Sequence, residues 1–320
     1  MASYAVSLDD VKAAARRLEG LAHRTPIMTC ATLDGLASRK PFFKCEQWQK
    51  VGAFKFRGAC NAVMRLTDTE AARGVVTHSS GNHAQALALA AKLRGIRAWI
   101  VMPSNATPAK RLAVEGYGAE GIACAPTLAA REATVAAVQE RTGAVLIPPY
   151  NHPDVIAGQG TVALEMLADL DAIVAPIGGG GLVAGVALAG RALNPALRLF
   201  AAEPENADDA YRSKRQGELI PQTDPRTIAD GLLTSLGDLT WPVVRDIVEA
   251  VIPVSESDIV HAMRLTWERA KLLIEPSSAV AVAAVLTPGF RSLANLRRVG
   301  VILSGGNVNL DNLPFTSPPG

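Results

Sequence analysis

The sequence predicts an α/β protein with two open, parallel-type sheets carrying helices on both faces. Two series of short apolar runs, each followed by a helical pattern, lead to that class, together with a late strand that returns to the first part of the chain. The first series occupies residues 74–148 and the second begins near residue 160. Residues 1–73 and 149–320 are therefore expected to form one large domain, with 74–148 inserted as a smaller one.

The elements follow in order. Ser7-Leu-Asp-Asp opens an amphipathic helix, with Ser7 as its cap and acids in the first turn. Arg24-Thr-Pro-Ile breaks that pattern, residues 42–46 (FFKCE) read as a short strand, and 53–66 as a helix. Val75-Val-Thr-His-Ser-Ser is a strand entering a turn before the Ala-rich helix 84–93. Strand 98–103, helix 108–117, strand 121–125, helix 128–141 and strand 144–147 complete the first series. The second has helix 160–170, strand 172–176, the tetraglycine run, helix 182–193 and strand 198–203. Helices 256–271 and 278–286 precede the last strand, 299–304.

Composition narrows the function. Hydrophobic residues make up 49% of the chain and charged ones 19%, which suits a buried core rather than disorder. A net charge of +2, few aromatics and no block of like charge argue against a nucleic-acid partner. No secretory leader or membrane-length apolar run stands out, so a cytoplasmic protein without a membrane partner is expected. Cys30, Cys45, Cys60 and Cys124 lack metal-ligand spacing and read as buried thiols in a reducing compartment.

Three turns at strand ends offer chemistry. In Pro176-Ile-Gly-Gly-Gly-Gly-Leu-Val-Ala-Gly, four glycines between strand and helix leave backbone N–H groups free to surround a phosphate. A tight turn needs fewer glycines, and neither a dinucleotide fingerprint nor a lysine-bearing P-loop is present. Ser79-Ser-Gly-Asn-His puts hydroxyls, an amide and N–H groups at another helix start, suited to a carboxylate, although an ordinary N-cap looks similar. Leu303-Ser-Gly-Gly-Asn by itself reads as a turn. Lys55 sits between Phe54 and Phe56; such a lysine usually snorkels, but one held among aromatics with cationic neighbours can act as a Schiff-base nucleophile.

Lys50 to Ala59, Ser79 to His83, the tetraglycine loop, Glu275-Pro-Ser-Ser and Ser304-Gly-Gly-Asn occur in the order of the fold-type II (tryptophan synthase β-like) pyridoxal-phosphate enzymes. Within them the chain resembles, from end to end, the group of serine racemases and short threonine/serine dehydratases, which includes 3-hydroxyaspartate dehydratases. Val155-Ile-Ala-Gly-Gln-Gly-Thr, Ala202-Glu-Pro-Glu-Asn-Ala-Asp-Asp and Ile228-Ala-Asp-Gly are further family-like runs. The resemblance implies a homodimer using pyridoxal 5'-phosphate to eliminate water from a small β-hydroxy amino acid. It implies that Lys55 holds the cofactor and moves the α-proton, that Phe54 flanks the ring, and that Gly178, Gly179, Gly180, Gly181 and Leu182 hold the phosphate. Asn82 would bond the ring hydroxyl and Ser304 the pyridine nitrogen. Ser79, Asn82 and His83 would grip the substrate carboxylate, and Ser80, opposite Lys55, would be the second acid/base. Glu203, the carbonyl of Ala207 and Asp209 match a divalent-cation site for Mg²⁺ or Ca²⁺. Gln85, Tyr117, Lys271 and Asn307 match positions that bind an activating nucleotide, ATP, at a subunit interface.

Arg131 matches an arginine near the substrate's side-chain end; turned inward it would pair with a second carboxylate, and turned outward it is a solvated charge. Tyr150 stands where animal serine racemases carry asparagine and dehydratases an aromatic residue, and Thr234 replaces a serine. Both differences favour a dehydratase. The alternatives are a serine racemase with side dehydratase activity, a cysteine-synthase-like β-replacement enzyme, and a non-catalytic phosphate- or nucleotide-binding protein.

Overall fold

A computed structural model describes residues 4–166 and 168–315. Helix α1 (Leu8–Leu18) starts as the sequence predicts. Ser7 and Asp10 form a reciprocal capping box, and Val11, Ala14 and Leu18 face the core. Then come β1 (Ile27–Met28), α2 (Ala31–Ala37), β2 (Lys40–Cys45), α3 (Lys55–Arg65) and α4 (Asp68–Ala72). The chain continues through β3 (Val75–His78), α5 (Asn82–Arg94), β4 (Ala98–Pro103), α6 (Pro108–Gly116), β5 (Glu120–Cys124), α7 (Leu128–Thr142) and β6 (Val145–Leu146). After α8 (Pro153–Leu164) follow β7 (Ala172–Pro176), α9 (Gly181–Leu193), β8 (Arg198–Pro204), α10 (Asp209–Gln216), α11 (Trp241–Asp246) and β9 (Ala250–Val254). The last elements are α12 (Glu256–Leu265), α13 (Pro276–Leu286), α14 (Pro288–Arg291) and β10 (Arg298–Leu303).

Two sheets result. The larger has the order β1-β2-β10-β7-β8-β9 and the smaller β5-β4-β3-β6. Every pairing is parallel except that of β1 with β2. The large sheet thus joins strands from both ends of the chain, and all four strands of the small one lie within residues 75–146.

Burial on both faces explains why these strands read as continuous apolar runs. Side chains alternate across a strand, so Ile173 and Ala175 of β7 and Leu199 and Ala201 of β8 join one core with α1, α8 and α9. Ala172, Val174, Phe200 and Ala202 point the other way, into a core with α12 and α13. In the small sheet, Val75, Ile100 and Met102 pack with α3 and α5, while Val76, Trp99 and Val101 pack with α7.

The structure corrects two expectations. The helix expected over 160–170 runs instead over Pro153–Leu164, where His152 accepts from the Asp154 N–H and Pro153 enters the first turn; Leu167 lies outside the described residues. Gly158 and Gly160 look like breakers, but they allow close helix crossing. A Cβ on Gly158 would lie 2.6 Å from the Arg57 carbonyl oxygen of α3, and one on Gly160 2.8 Å from the Gly185 carbonyl oxygen of α9. The helix expected over 256–271 changes at Thr266 to a π-helical turn and stops at left-handed Lys271. Of the four cysteines, only Cys45 and Cys60 are fully buried, and all four are free thiols. Among the described residues no helix is long and apolar enough to cross a membrane.

Candidate active site

Lys55 is the first residue of α3, and the turn before it is under backbone strain. Val51 adopts a left-handed φ of 57°, unfavourable for a β-branched residue, and Gly52 follows at 69°. The segment after β10 holds that turn. Gly306 N–H donates to the Gly52 carbonyl at 3.0 Å, Asn307 Nδ2 to the Val51 carbonyl at 2.8 Å, and Phe54 N–H to the Ser304 carbonyl at 3.0 Å. Behind the turn, Arg57 is buried in a network that fixes α3. Its guanidinium donates to Glu46 at 2.7 and 2.8 Å and to Glu165 at 2.6 and 2.9 Å, and Lys44 also donates to Glu165 at 2.6 Å. Paired on both sides, Arg57 escapes the cost of an isolated buried charge.

The Lys55 amine donates to the Pro149 carbonyl at 2.7 Å and lies 5.2 Å from the Phe54 ring centroid. Burial, opposed in part by Glu275, pushes it down to about 8, which makes it a better proton acceptor near neutrality. Next to Pro149, the Tyr150 ring lies flush on the tetraglycine loop, where a Cβ on Gly179 would overlap it. The Tyr150 hydroxyl faces Thr234, so the two departures from the family pattern are neighbours.

The loop itself is a cradle made of backbone. Gly180 takes a left-handed φ of 85° at the N-cap of α9. A Cβ on Gly180 would meet Thr240 and one on Gly178 would lie 3.0 Å from the Leu232 Cα. Gly179, Gly180, Gly181 and Leu182 are buried. Their N–H groups have no acceptor among the described residues. Buried, unpaired N–H groups at a helix start suit a phosphate, so these residues fit pyridoxal phosphate.

Asn82 opens α5, and its Nδ2 donates to Glu275 Oε1 at 2.9 Å while its Oδ1 accepts from Asn307 at 2.8 Å. Glu275 also accepts the Asn307 N–H at 3.1 Å. Burial raises its carboxyl to about 8, helped by the charge of Asp230. Glu275 and the Pro149 carbonyl were not singled out by residue chemistry in the sequence: an acid before Pro-Ser-Ser reads as a helix-start charge, and a backbone acceptor leaves no residue signal.

Ser79 and Ser80 lie half-buried in the turn after β3, where the Ser79 hydroxyl accepts from the Gly81 N–H at 3.3 Å. His83 is buried, and its Nε2 bonds the Ile147 carbonyl at 3.0 Å. Its backbone N–H, in the first turn of α5, is what the helix leaves free. Ser304 is buried at the end of β10. Arg131 is half-buried and its Nε has no partner among the described residues. Burial and the nearby Arg131 charge both lower His78 at the end of β3, which puts this guanidinium near the strand end that leads into Ser79.

The expected cation set lies beyond β8. Glu203 Oε1 accepts the Tyr211 N–H at 2.5 Å, Asp209 accepts the Leu236 N–H at 2.8 Å, and Ala207 is buried beside them in sequence. Burial raises Glu203 to about 9 and Asp209 to about 6, and each is raised further by a neighbouring aspartate. Among the described residues no group of three His, Cys, Asp or Glu side chains forms a metal site; this set has two carboxylates and one carbonyl. Of the nucleotide-site expectations, Asn307 lies beside Asn82, and Lys271 ends the π-helical turn.

Comparison with known proteins agrees with this geometry. The model of the family described as pyridoxal-phosphate dependent enzymes matches residues 3–305. A serine racemase of Arabidopsis thaliana is 50% identical over 316 residues, 97% of this chain and 96% of that protein. A beta-hydroxyaspartate dehydratase of Paracoccus denitrificans is 49% identical over 315 residues, 98% and 99% of the two chains. The structure of maize serine racemase superimposes with a TM-score of 0.95 at 49% identity, covering 96% of this chain and 95% of that one. A half-buried lysine amine, a glycine loop with unpaired backbone N–H groups and this agreement over nearly the whole sequence lead to one conclusion: the chain belongs to the family of pyridoxal-phosphate dependent enzymes.

Proposed function

We propose that the chain is a dehydratase that converts a β-hydroxy amino acid, L-serine, L-threonine or 3-hydroxyaspartate, to a keto acid and ammonia. The observation that carries this reading is the Lys55 amine, half-buried at the start of α3 and held 2.7 Å from the Pro149 carbonyl, next to the Tyr150 ring that lies on the tetraglycine loop, with burial lowering it toward neutrality. Bound pyridoxal phosphate supplies the electron sink that acidifies the substrate's α-carbon. The tetraglycine N–H groups would hold its phosphate, Asn82 its hydroxyl and Ser304 its ring nitrogen, with Phe54 alongside. The freed Lys55 amine takes the α-proton, the β-hydroxyl leaves with a proton as water, and the released enamine hydrolyses. Ser79, Asn82 and the first-turn N–H of His83 would receive the substrate carboxylate. The segment 74–148 would close over the substrate as a unit and exclude water.

Arg131 favours 3-hydroxyaspartate within that class, because a half-buried guanidinium with an unpaired Nε suits a second carboxylate. The named activity of the Paracoccus relative supports the same substrate. The racemase relatives support a second reaction, in which Ser80 returns a proton on the face opposite Lys55. The test compares keto-acid release from L-serine, L-threonine and both 3-hydroxyaspartate diastereomers, with chiral analysis of residual substrate, in wild type and Arg131→Ala. Preference for a hydroxyaspartate that collapses in the variant is the expected result. Preference for serine or threonine, unmoved by the variant, excludes this role for Arg131. Appearance of D-serine instead identifies a racemase.

Further parts of the reading are a homodimer, a cytoplasmic location consistent with four free thiols, and Mg²⁺ or Ca²⁺ on Glu203, the Ala207 carbonyl and Asp209. ATP would act as effector near Gln85, Tyr117, Lys271 and Asn307.

A further inference from the structure

The strap from Ile147 to Asn151 carries two parts of the site and is tied at both ends. At its start the Ile147 N–H donates to the Val76 carbonyl of β3 at 2.9 Å, and the Ile147 carbonyl accepts from His83 Nε2 at 3.0 Å. At its end Asn151 accepts the Leu239 N–H at 3.0 Å and donates to Asp238 at 2.6 Å. Between lie Pro148 and Pro149, whose rings fix φ, then the carbonyl that receives the Lys55 amine, and the Tyr150 ring that walls the glycine loop.

The imidazole of His83 is 2% exposed. A carbonyl can only accept, so Nε2 carries the hydrogen and Nδ1 is left as a buried lone pair without a partner among the described residues. Burial and the adjacent Lys55 push this imidazole down to about 3, so it is neutral throughout the working range. A neutral ring with an acceptor on its second nitrogen is poorly suited to grip a carboxylate. It is well suited to hold a strap.

We infer that His83 is a positioning residue: by bonding the Ile147 carbonyl it sets, through the rigid Pro148-Pro149 step, where the Lys55 amine rests and where Tyr150 meets the phosphate loop. The inference rests on Lys55 being the reactive amine proposed above. Loss of the bond lets the strap shift, and a misplacement of about 1 Å between reacting groups costs on the order of 100-fold in rate.

The test uses purified holoenzyme of His83→Phe, His83→Gln and Pro149→Ala, with Lys55→Ala as reference. Glutamine can present an N–H close to where Nε2 stands; phenylalanine keeps the ring and loses the donor. Measured quantities are kcat and KM for elimination, the pH titration of the cofactor's visible band, and the melting temperature. For His83→Phe the expected result is a fall in kcat of roughly 10- to 100-fold with little change in KM and a displaced band titration. His83→Gln is expected to recover both, and Pro149→Ala to reproduce the displacement with His83 intact. A rise in KM with unchanged kcat in both histidine variants assigns the imidazole to the substrate carboxylate and overturns the inference. So does a wild-type titration in His83→Phe. Should His83→Phe not fold, a wild-type titration in Pro149→Ala overturns it equally. A wild-type visible band in Lys55→Ala overturns the reading of Lys55 itself, a separate failure.

Discussion

Glu275 shows how burial can outweigh hydrogen bonding in setting a residue's state. Its carboxyl accepts from Asn82 and from the Asn307 N–H, and desolvation raises it to about 8. The folded chain therefore holds the proton more tightly than the unfolded one. The stability this gives is complete below the ordinary carboxylate range and is lost as the pH rises through about 8. In cofactor-free protein, Glu275→Gln is expected to flatten the decline in melting temperature between about pH 5 and pH 9, where the wild type loses this contribution. An unchanged slope would mean that Glu275 ionises without cost. The sequence disclosed this residue only inside a family-like run, because its proton affinity comes from burial and from the charge of Asp230, and the residues that bury it, Gly305 among them, are distant along the chain. Lys55 was legible for the opposite reason: its aromatic neighbours, Phe54 and Phe56, adjoin it in sequence.

Among the elements, α8 meets both α3 and α9 through glycines. A methyl on Gly158 would sit 2.6 Å from the Arg57 carbonyl oxygen, and backbone cannot yield as a flexible side chain can. Gly158→Ala is therefore expected to destabilise the protein by about 1–3 kcal/mol, read from the denaturant midpoint at constant m. The continuous apolar runs of β7 and β8 could be read without the structure, since both of their faces are buried. The start of α8 could not, because Gly-Gln-Gly reads as a breaker unless the approaching helices are known. Between β8 and α10, the two carboxylates of Glu203 and Asp209 predict a thermal response. Adding Mg²⁺ or Ca²⁺ to chelator-treated protein should raise its melting temperature, and Asp209→Ala should abolish that rise.

At the scale of the molecule, Lys110 of α6 and Asp230, in the turn whose Leu232 abuts Gly178, form an ion pair of 2.9 Å between the small-sheet segment and the wall of the tetraglycine loop. The pair is well exposed, so its contribution is at most about 1 kcal/mol, or roughly fivefold in an equilibrium. Lys110→Asp is expected to raise KM by no more than that, with Asp230→Lys in the same chain restoring it and high salt erasing the difference. Equal KM values at low salt would show that closure does not use this contact.

The order of the large sheet bears on how the protein is made. β10 lies between β2 and β7, so the centre of that sheet is supplied by residues 298–303. During synthesis, β3 to β6 can pair as soon as about 150 residues have emerged, because no strand of theirs comes from elsewhere. β2 and β7, by contrast, wait with open edges until residues 298–303 are out. Exposed parallel edges are templates for wrong pairing. A ribosome stalled before residue 298 would therefore carry a finished small sheet beside a split large one, and the nascent chain stays exposed to aggregation until β10 has emerged.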